Sequence, residues 1–320
     1  MSNISTPKSD ASRGYLTALG SALFLSTTTI FIRHLTQVNH LPALILAFWR
    51  DFFVVITLLL VLGVVRRQLL LVPRKQLPFL MIYGVLLAVF NSLWTFSVAL
   101  NGAAIATVLV YSSAGFTTLL GWWLLKEHLG WIKIVAVVMT MSGCLLVSGA
   151  INLSDWNSNL AGILTGFLSG LSYAGYSLMG KSASQRELNP WSTLIYTFAF
   201  AAFVFLAVNL LPFLKLPGTA VHATDLFWLG KDLTGWGFLF LLAAIPTVAG
   251  FGLYNVSLTL LPSSITNLIV TTEPVFTAIL AYFLFGETFT TIQLQGSVTI
   301  LAGVIFLRIF DGRETRMRTV

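Results

Sequence analysis

LPALILAFWRDFFVVITLLLVLGVV, residues 41–65, is 25 residues long, carries charge only at Arg50 and Asp51, and runs straight into Arg66 and Arg67. Crossing the hydrocarbon core of a bilayer takes roughly 20 mainly apolar residues as a helix, which satisfies its own backbone hydrogen bonds where no water can. This stretch meets that length and ends in the basic residues that mark a membrane boundary. Working outward, similar runs follow one another along the whole chain. Charged residues make up only 9% of the 320 residues and hydrophobic residues 57%, against about a quarter charged in a water-soluble chain. A water-soluble fold is excluded, and so little polar sequence remains that one membrane-embedded domain is expected.

With Pro, Gly and charge clusters as end markers, ten spans begin near Gly14, Leu41, Gln76, Ala103, Leu129, Leu160, Pro190, Gly235, Pro262 and Thr291. Residues 1–13 are polar and show no cleavable leader, so the first span is expected to be retained. With the N-terminus placed inside, fourteen Lys and Arg residues fall on the cytoplasmic side, and only Arg33, Lys215 and Lys231 fall opposite. That asymmetry predicts that both termini are cytoplasmic. The one cysteine, Cys144, lies in an apolar run, so no internal disulfide is possible.

Slid along itself by 148 positions, the chain pairs Gly14 with Gly162, Ser21 with Ser169, Arg33 with Lys181 and Pro42 with Pro190. Beyond the loop near residues 213–234 the offset becomes 160, pairing Ser97 with Ser257, Phe116 with Phe276, Glu127 with Glu287 and Gly143 with Gly303. Each unit holds five spans, so the second copy enters from the opposite face. The expected architecture is an all-α polytopic membrane protein of ten transmembrane helices in two inverted five-helix repeats. Residues 14–152 form the first repeat and 153–311 the second, between tails 1–13 and 312–320. Inverted repeats of this kind place a transported substrate near midplane, between the halves. Glycines 162, 166 and 170, matched by Gly14, Ala18 and Ala22, are read as a helix-packing stripe.

The segment from Glu273 and Pro274 through Gly286-Glu287, with its partner Phe116 to Glu127 and with Pro42 and Arg50 in the second span, resembles the EamA-type repeat of the drug/metabolite transporter superfamily. The first repeat departs from the pattern, carrying Ser113-Ala114 where the second has Glu273-Pro274. Overall likeness is greatest to the bacterial aromatic amino acid exporters of that superfamily. The resemblance implies a central site between the repeats and export of amino acids from the cytoplasm by alternating access.

Arg50, Asp51 and Glu273 lie deep in apolar runs, where a charge costs roughly 2.5–3.5 kcal/mol on insertion scales. Adjacent helical residues point about 100° apart, so Arg50 and Asp51 are each expected to find a partner on another helix. Two readings of Glu273 stay open: an ion pair with Arg50 across the repeats, or a carboxylate receiving a substrate ammonium or a proton. Pro246 and Pro274 are candidate kinks and hinges for alternating access, with tolerated prolines as the plain alternative. Polar and aromatic residues recur at helical spacing: Tyr83, Asn91 and Trp94 in the third span, Tyr111 in the fourth, and Tyr173 and Tyr176 in the sixth. Phe251, Tyr254, Asn267 and Thr271 continue the pattern in the second repeat. Together with Glu273 these are the candidate substrate-binding residues, a mixture suited to an apolar side chain on a zwitterion.

Gly175 to Ser182 matches the phosphate-loop letters but falls at the end of an apolar helix, so nucleotide binding is not expected. The four histidines lack paired metal spacing, and no cofactor or nucleic-acid partner is expected. The partners implied are a small amino acid substrate and the lipid bilayer. A transporter of hydrophobic cations and a membrane-embedded enzyme or assembly protein are the rival readings; the enzyme would need more converging titratable groups than the spans supply.

Overall fold

A computed structural model describes residues 8–147, 160–211, 216–285 and 290–317. The boundary between the proposed repeats, Lys215, Glu287 and Arg318 lie outside the described residues. Within them the chain is helical, with no strand. In chain order the helices are α1 (Lys8–Gln37), α2 (Ala43–Val65), α3 (Leu77–Tyr111), α4 (Ser113–Leu125), α5 (Trp131–Val147), α6 (Leu160–Gln185), α7 (Pro190–Leu210), α8 (Leu233–Leu242), α9 (Val248–Leu260), α10 (Ser263–Val270), α11 (Glu273–Phe285) and α12 (Thr291–Met317).

Among the described residues, eight segments are long and apolar enough to cross a membrane, and α5 is a shorter apolar helix of 17 residues. Helix α6, with 26 residues and a glycine-, serine- and tyrosine-rich face, completes ten crossings. The third and fourth were expected to be separate helices parted near Ala103, but the single helical run α3 holds the third and the first part of the fourth, which continues as α4. That run is not straight. Ser97 and Leu109 would stand about 18 Å apart along an ideal helix axis, yet both crowd the same Gly166 on α6. The chain therefore doubles back between them, and Arg74–Val98 and Ala106–Leu125 cross separately.

The two halves repeat one another down to single hydrogen bonds. Ser97 Oγ donates to the Gly162 carbonyl at 3.0 Å, and the repeat-related Ser257 Oγ donates to the Gly14 carbonyl at 3.0 Å. Helix α6 packs along α3 as α1 packs along α9, while α2 meets α7 and α5 meets α12. That pattern is a pseudo-twofold relation between two five-helix units of opposite orientation. The main core lies between α2, α3, α6, α7 and α9, where Leu58, Leu87, Phe198 and Phe205 are buried.

The glycine stripe on α6 is what lets the helices meet. A Cβ at Gly170 would stand 2.5 Å from Ser112 Oγ and 2.9 Å from the Leu109 carbonyl. At Gly175 it would meet only the end of the Leu86 side chain, at 3.1 Å. Gly170→Ala is accordingly expected to destabilise the protein by about 1–3 kcal/mol, and Gly175→Ala by much less, because a leucine tip yields where backbone cannot. Thermal unfolding in detergent checks this; equal midpoints for the two variants would remove the close-approach argument.

Both repeats break a helix at the same place. The ninth crossing stops at Val270, turns through Thr271 and Thr272 and restarts at Glu273. The fourth stops at Tyr111 and restarts at Ser113, and Ser112 is the repeat partner of Thr272. Pro274 cannot donate to Val270, as anticipated, but a proline is not what makes the fourth crossing break, since Ala114 stands at that position. There Ser112 Oγ turns back onto the Leu109 carbonyl at 2.5 Å, the local bond by which serine competes with helix. Pro246 sits in a single π-helical turn, Ala243–Thr247, between α8 and α9. The carbonyl that loses its donor, Leu242, is satisfied instead by Thr247 Oγ1 at 2.8 Å.

Candidate substrate site

The aromatic residues of α3, α6 and α9 form one continuous wall at the seam of the two units. Phe90 stacks on Tyr173 at 4.9 Å between ring centroids with 16° between planes, and Tyr173 lies parallel to Tyr254 at 5.9 Å. Tyr83 meets Tyr176 at 4.7 Å, and Phe251 stands edge-on to Tyr176 at 5.7 Å. Helical spacing on α6 does the placing: Tyr173 and Tyr176 are three residues apart and share a face.

Below this wall a hydrogen-bonded knot ties the units together. Ser177 Oγ and the Tyr254 hydroxyl are 2.5 Å apart. Asn267 Nδ2 donates to Ser177 at 3.0 Å and to Tyr254 at 3.3 Å, and Asn267 Oδ1 accepts from Ser113 Oγ at 3.2 Å. Four elements, α4, α6, α9 and α10, are thus joined at the broken helices. Sequence reasoning missed Ser113 and Ser177. The signals were present, since Ser177 lies one turn after Tyr173 and Ser113 is the repeat partner of Glu273.

Toward the other end, Glu273 is half-buried at the first position of α11, where a carboxylate complements the helix dipole. The Tyr111 hydroxyl faces its carboxyl. Trp94 and Phe90 pack against Tyr111, Cys144 and Val275 beside it. Among the described residues Asn91, buried nearby on α3, has no hydrogen-bond partner for its Nδ2, nor do the Tyr83 and Tyr176 hydroxyls. Buried donors left open in this way are costly unless water or a ligand completes them. The Thr271 hydroxyl donates to the Leu268 carbonyl at 2.6 Å.

The expected partners of the second-span charges need correction. Arg50 Nε donates to Asp51 Oδ1 at 2.9 Å, and Nη2 lies 2.9 Å from the same oxygen, so the neighbours pair with each other. Their Cα–Cβ bonds do diverge, but the long arginine arm folds back to the carboxylate. Among the described residues no ion pair joins Arg50 to Glu273, and Asp51 Oδ2 has no partner.

At the far edge of the seam, Glu127, just past α4, accepts four hydrogen bonds from the start of α10. Ser263 donates through N and Oγ at 2.6 and 2.7 Å, and Ser264 through N and Oγ at 3.2 and 2.6 Å. Lys133 reaches Ser264 Oγ and the His128 carbonyl, while Lys181 caps the end of α9 on the Leu258 and Leu261 carbonyls at 2.9 Å. The lysine of the phosphate-loop look-alike is thus a helix cap, and Gly175–Ser182 is helical throughout.

The sequence beneath these two units matches one family model twice over. The EamA-like transporter family model fits residues 12–149 and again residues 160–309. The chain belongs to the EamA-like transporter family. Relatives within reach of sequence comparison are transporters of differing cargo. A probable amino-acid metabolite efflux pump of Salmonella typhimurium is 26% identical over 291 residues, 88% of this chain and 90% of that protein. An S-adenosylmethionine uptake transporter of Rickettsia felis is 27% identical over 314 residues, 97% and 98% of the two chains. An uncharacterized transporter of Synechocystis is 26% identical over 224 residues, and the match takes in 70% of this chain and 64% of that protein, a little under two thirds. A crystal structure superposes with a TM-score of 0.73 over 95% of this EamA-like chain and 99% of its own, at 14% identity, a likeness of fold alone.

Proposed function

We propose that this EamA-like chain is a secondary exporter of amino acids, aromatic and other neutral ones, working by alternating access in a bacterial inner membrane with both termini in the cytoplasm. The observation that carries the reading is the seam itself, where aromatic faces, unpartnered amide and hydroxyl groups and one carboxylate converge beside two interrupted helices. Glu273 receives the substrate ammonium. The first backbone N–H groups of α4, at Ser113 and Ala114, offer donors to the carboxylate, as half-helix N-termini do in transporters of this general plan. Phe90, Trp94, Tyr173 and Phe251 take the side chain. Residues 14–152 and 153–311 move as the two rocking units, with Pro246 and Pro274 near the hinges. The basic residues support the orientation, and the bias remains after Lys133 and Lys181, whose ammonium groups are used on carbonyls of the protein, are set aside.

One other cargo is favoured by a specific observation. S-adenosylmethionine combines a zwitterion, a cationic sulfur and an aromatic base, and the carboxylate and ring wall suit all three, as they would suit a hydrophobic cation. Purified protein in proteoliposomes, tested with labelled phenylalanine, threonine, S-adenosylmethionine and a lipophilic cation, with and without a proton gradient, separates the possibilities. Amino acid flux unaffected by the cation supports the proposal; flux of the cation or of S-adenosylmethionine alone overturns it.

Trp94→Ala is expected to raise KM for phenylalanine roughly three- to tenfold, the worth of one aromatic contact, with little change for threonine. Equal losses for both would assign Trp94 to general packing.

A further inference from the structure

A groove of about 430 Å³ opens between the last turns of α2 and the start of α7, away from the seam. Leu58, Leu62 and Val248 wall it, and Val61 and Val65 on its lip are 51% and 68% exposed on the surface that meets lipid. Its lining is apolar along almost its whole length. The exceptions gather at one end, where Arg66, Asn189 and Trp191 complete it. From Leu58 to Arg66 the helix rises about 12 Å, so the groove runs from the membrane boundary most of the way to the midplane, about 15 Å in.

The chemistry at that end is all donor. Arg66 is exposed, and among the described residues its guanidinium has no ion pair or hydrogen bond. Asn189 uses its Oδ1 to accept from Trp191 N at 3.0 Å, which leaves the amide Nδ2 uncommitted. Arg67 adds a second exposed cation next in the chain. A donor cluster at the interface above an apolar channel of this length matches an amphiphile with an anionic head and a hydrocarbon tail.

We propose that the groove is a binding site for an anionic phospholipid of the adjoining leaflet, its phosphate held by Arg66 and Asn189 and one acyl chain laid along Leu58, Leu62 and Val248. The site joins the cytoplasmic end of α2 to the first turn of α7, two helices related by the pseudo-twofold axis, and so rests on the outer side of the moving units rather than on the substrate site.

Native mass spectrometry of the purified chain tests it, with phosphatidylglycerol, phosphatidylcholine of the same acyl chains, or inorganic phosphate added. The wild type is expected to retain one phosphatidylglycerol under conditions that strip phosphatidylcholine. Arg66→Gln should lower that retention about fivefold and Arg66→Lys should keep most of it. Val61→Trp, on the exposed lip, should fill the groove and reduce retention with Arg66 intact. Thermal unfolding of each variant in detergent confirms that the fold is kept. Retention by Arg66→Gln equal to wild type, equal retention of phosphatidylcholine, or displacement of the lipid by inorganic phosphate at comparable concentration overturns the proposal.

Discussion

Glu273→Gln is expected to reduce transport of a zwitterionic amino acid by about thirtyfold or more. The residue is half-buried at the seam, faces the Tyr111 hydroxyl and has no cation beside it among the described residues. An ammonium arriving there gains a partner in surroundings where water is scarce. Removing one member of such a desolvated pair costs about 2–5 kcal/mol, and ~1.4 kcal/mol is a factor of ten. Gln keeps the shape and the hydrogen-bonding capacity, so the loss isolates the charge. Glu273→Asp should retain part of the activity, and the stability of both variants should match wild type because Glu273 supports no structural ion pair. If the carboxyl also carries protons, the dependence of flux on pH flattens in Glu273→Gln. Full activity with an unchanged pH response would remove Glu273 from the mechanism.

The largest effect on stability is expected from Glu127→Ala. Its carboxylate accepts from two backbone and two hydroxyl groups at the start of α10, all between 2.6 and 3.2 Å, and joins the first repeat to the second. Removing it strips the cap from a helix N-terminus and leaves Lys133, held against Ser264, without a nearby anion. Loss of a side-chain cap costs about 0.5–2 kcal/mol and hydrogen bonds to a charged group are worth about 1.5–3 kcal/mol each. A net destabilisation of about 2–4 kcal/mol is therefore expected, with Glu127→Gln intermediate. Because the clamp closes one end of the seam, its loss should also expose that end. A cysteine reporter made by Ser263→Cys in a Cys144→Ser background reads the exposure, as does thermal unfolding. An unchanged midpoint together with unchanged labelling of the reporter would show that the clamp does not hold the halves together.

How far the sequence carried the reading differs from residue to residue. Ten crossings and two inverted units were legible because lipid imposes length and apolarity on every span, and because Gly14 with Gly162 and Ser97 with Ser257 recur at offsets of 148 and 160. The wall of Tyr83, Tyr173, Tyr176 and Tyr254 was legible from helical spacing. The Arg50–Asp51 pair was not, because spacing constrains where a Cβ points and not where four further side-chain bonds lead. Ser113 and Ser177 lay within the repeat and helical pattern, but spacing does not show that both meet Asn267, and the Glu127 clamp likewise depends on contacts between helices far apart in the chain. The break at Ser112 carries no proline, and only its alignment with Thr272 hinted at it.

The central claim is that amino acids bind at the seam between the inverted units, touching both. Cys144 is the chain's one cysteine, so Trp94→Cys and Phe251→Cys in a Cys144→Ser background each place one reporter on one half. The rate of modification by a water-soluble thiol reagent, measured in proteoliposomes with and without phenylalanine, is the direct test. The account predicts that phenylalanine slows modification at both positions over the same concentration range. Rates at both positions that no amino acid alters, or reaction with lipid-soluble reagents alone, would contradict it.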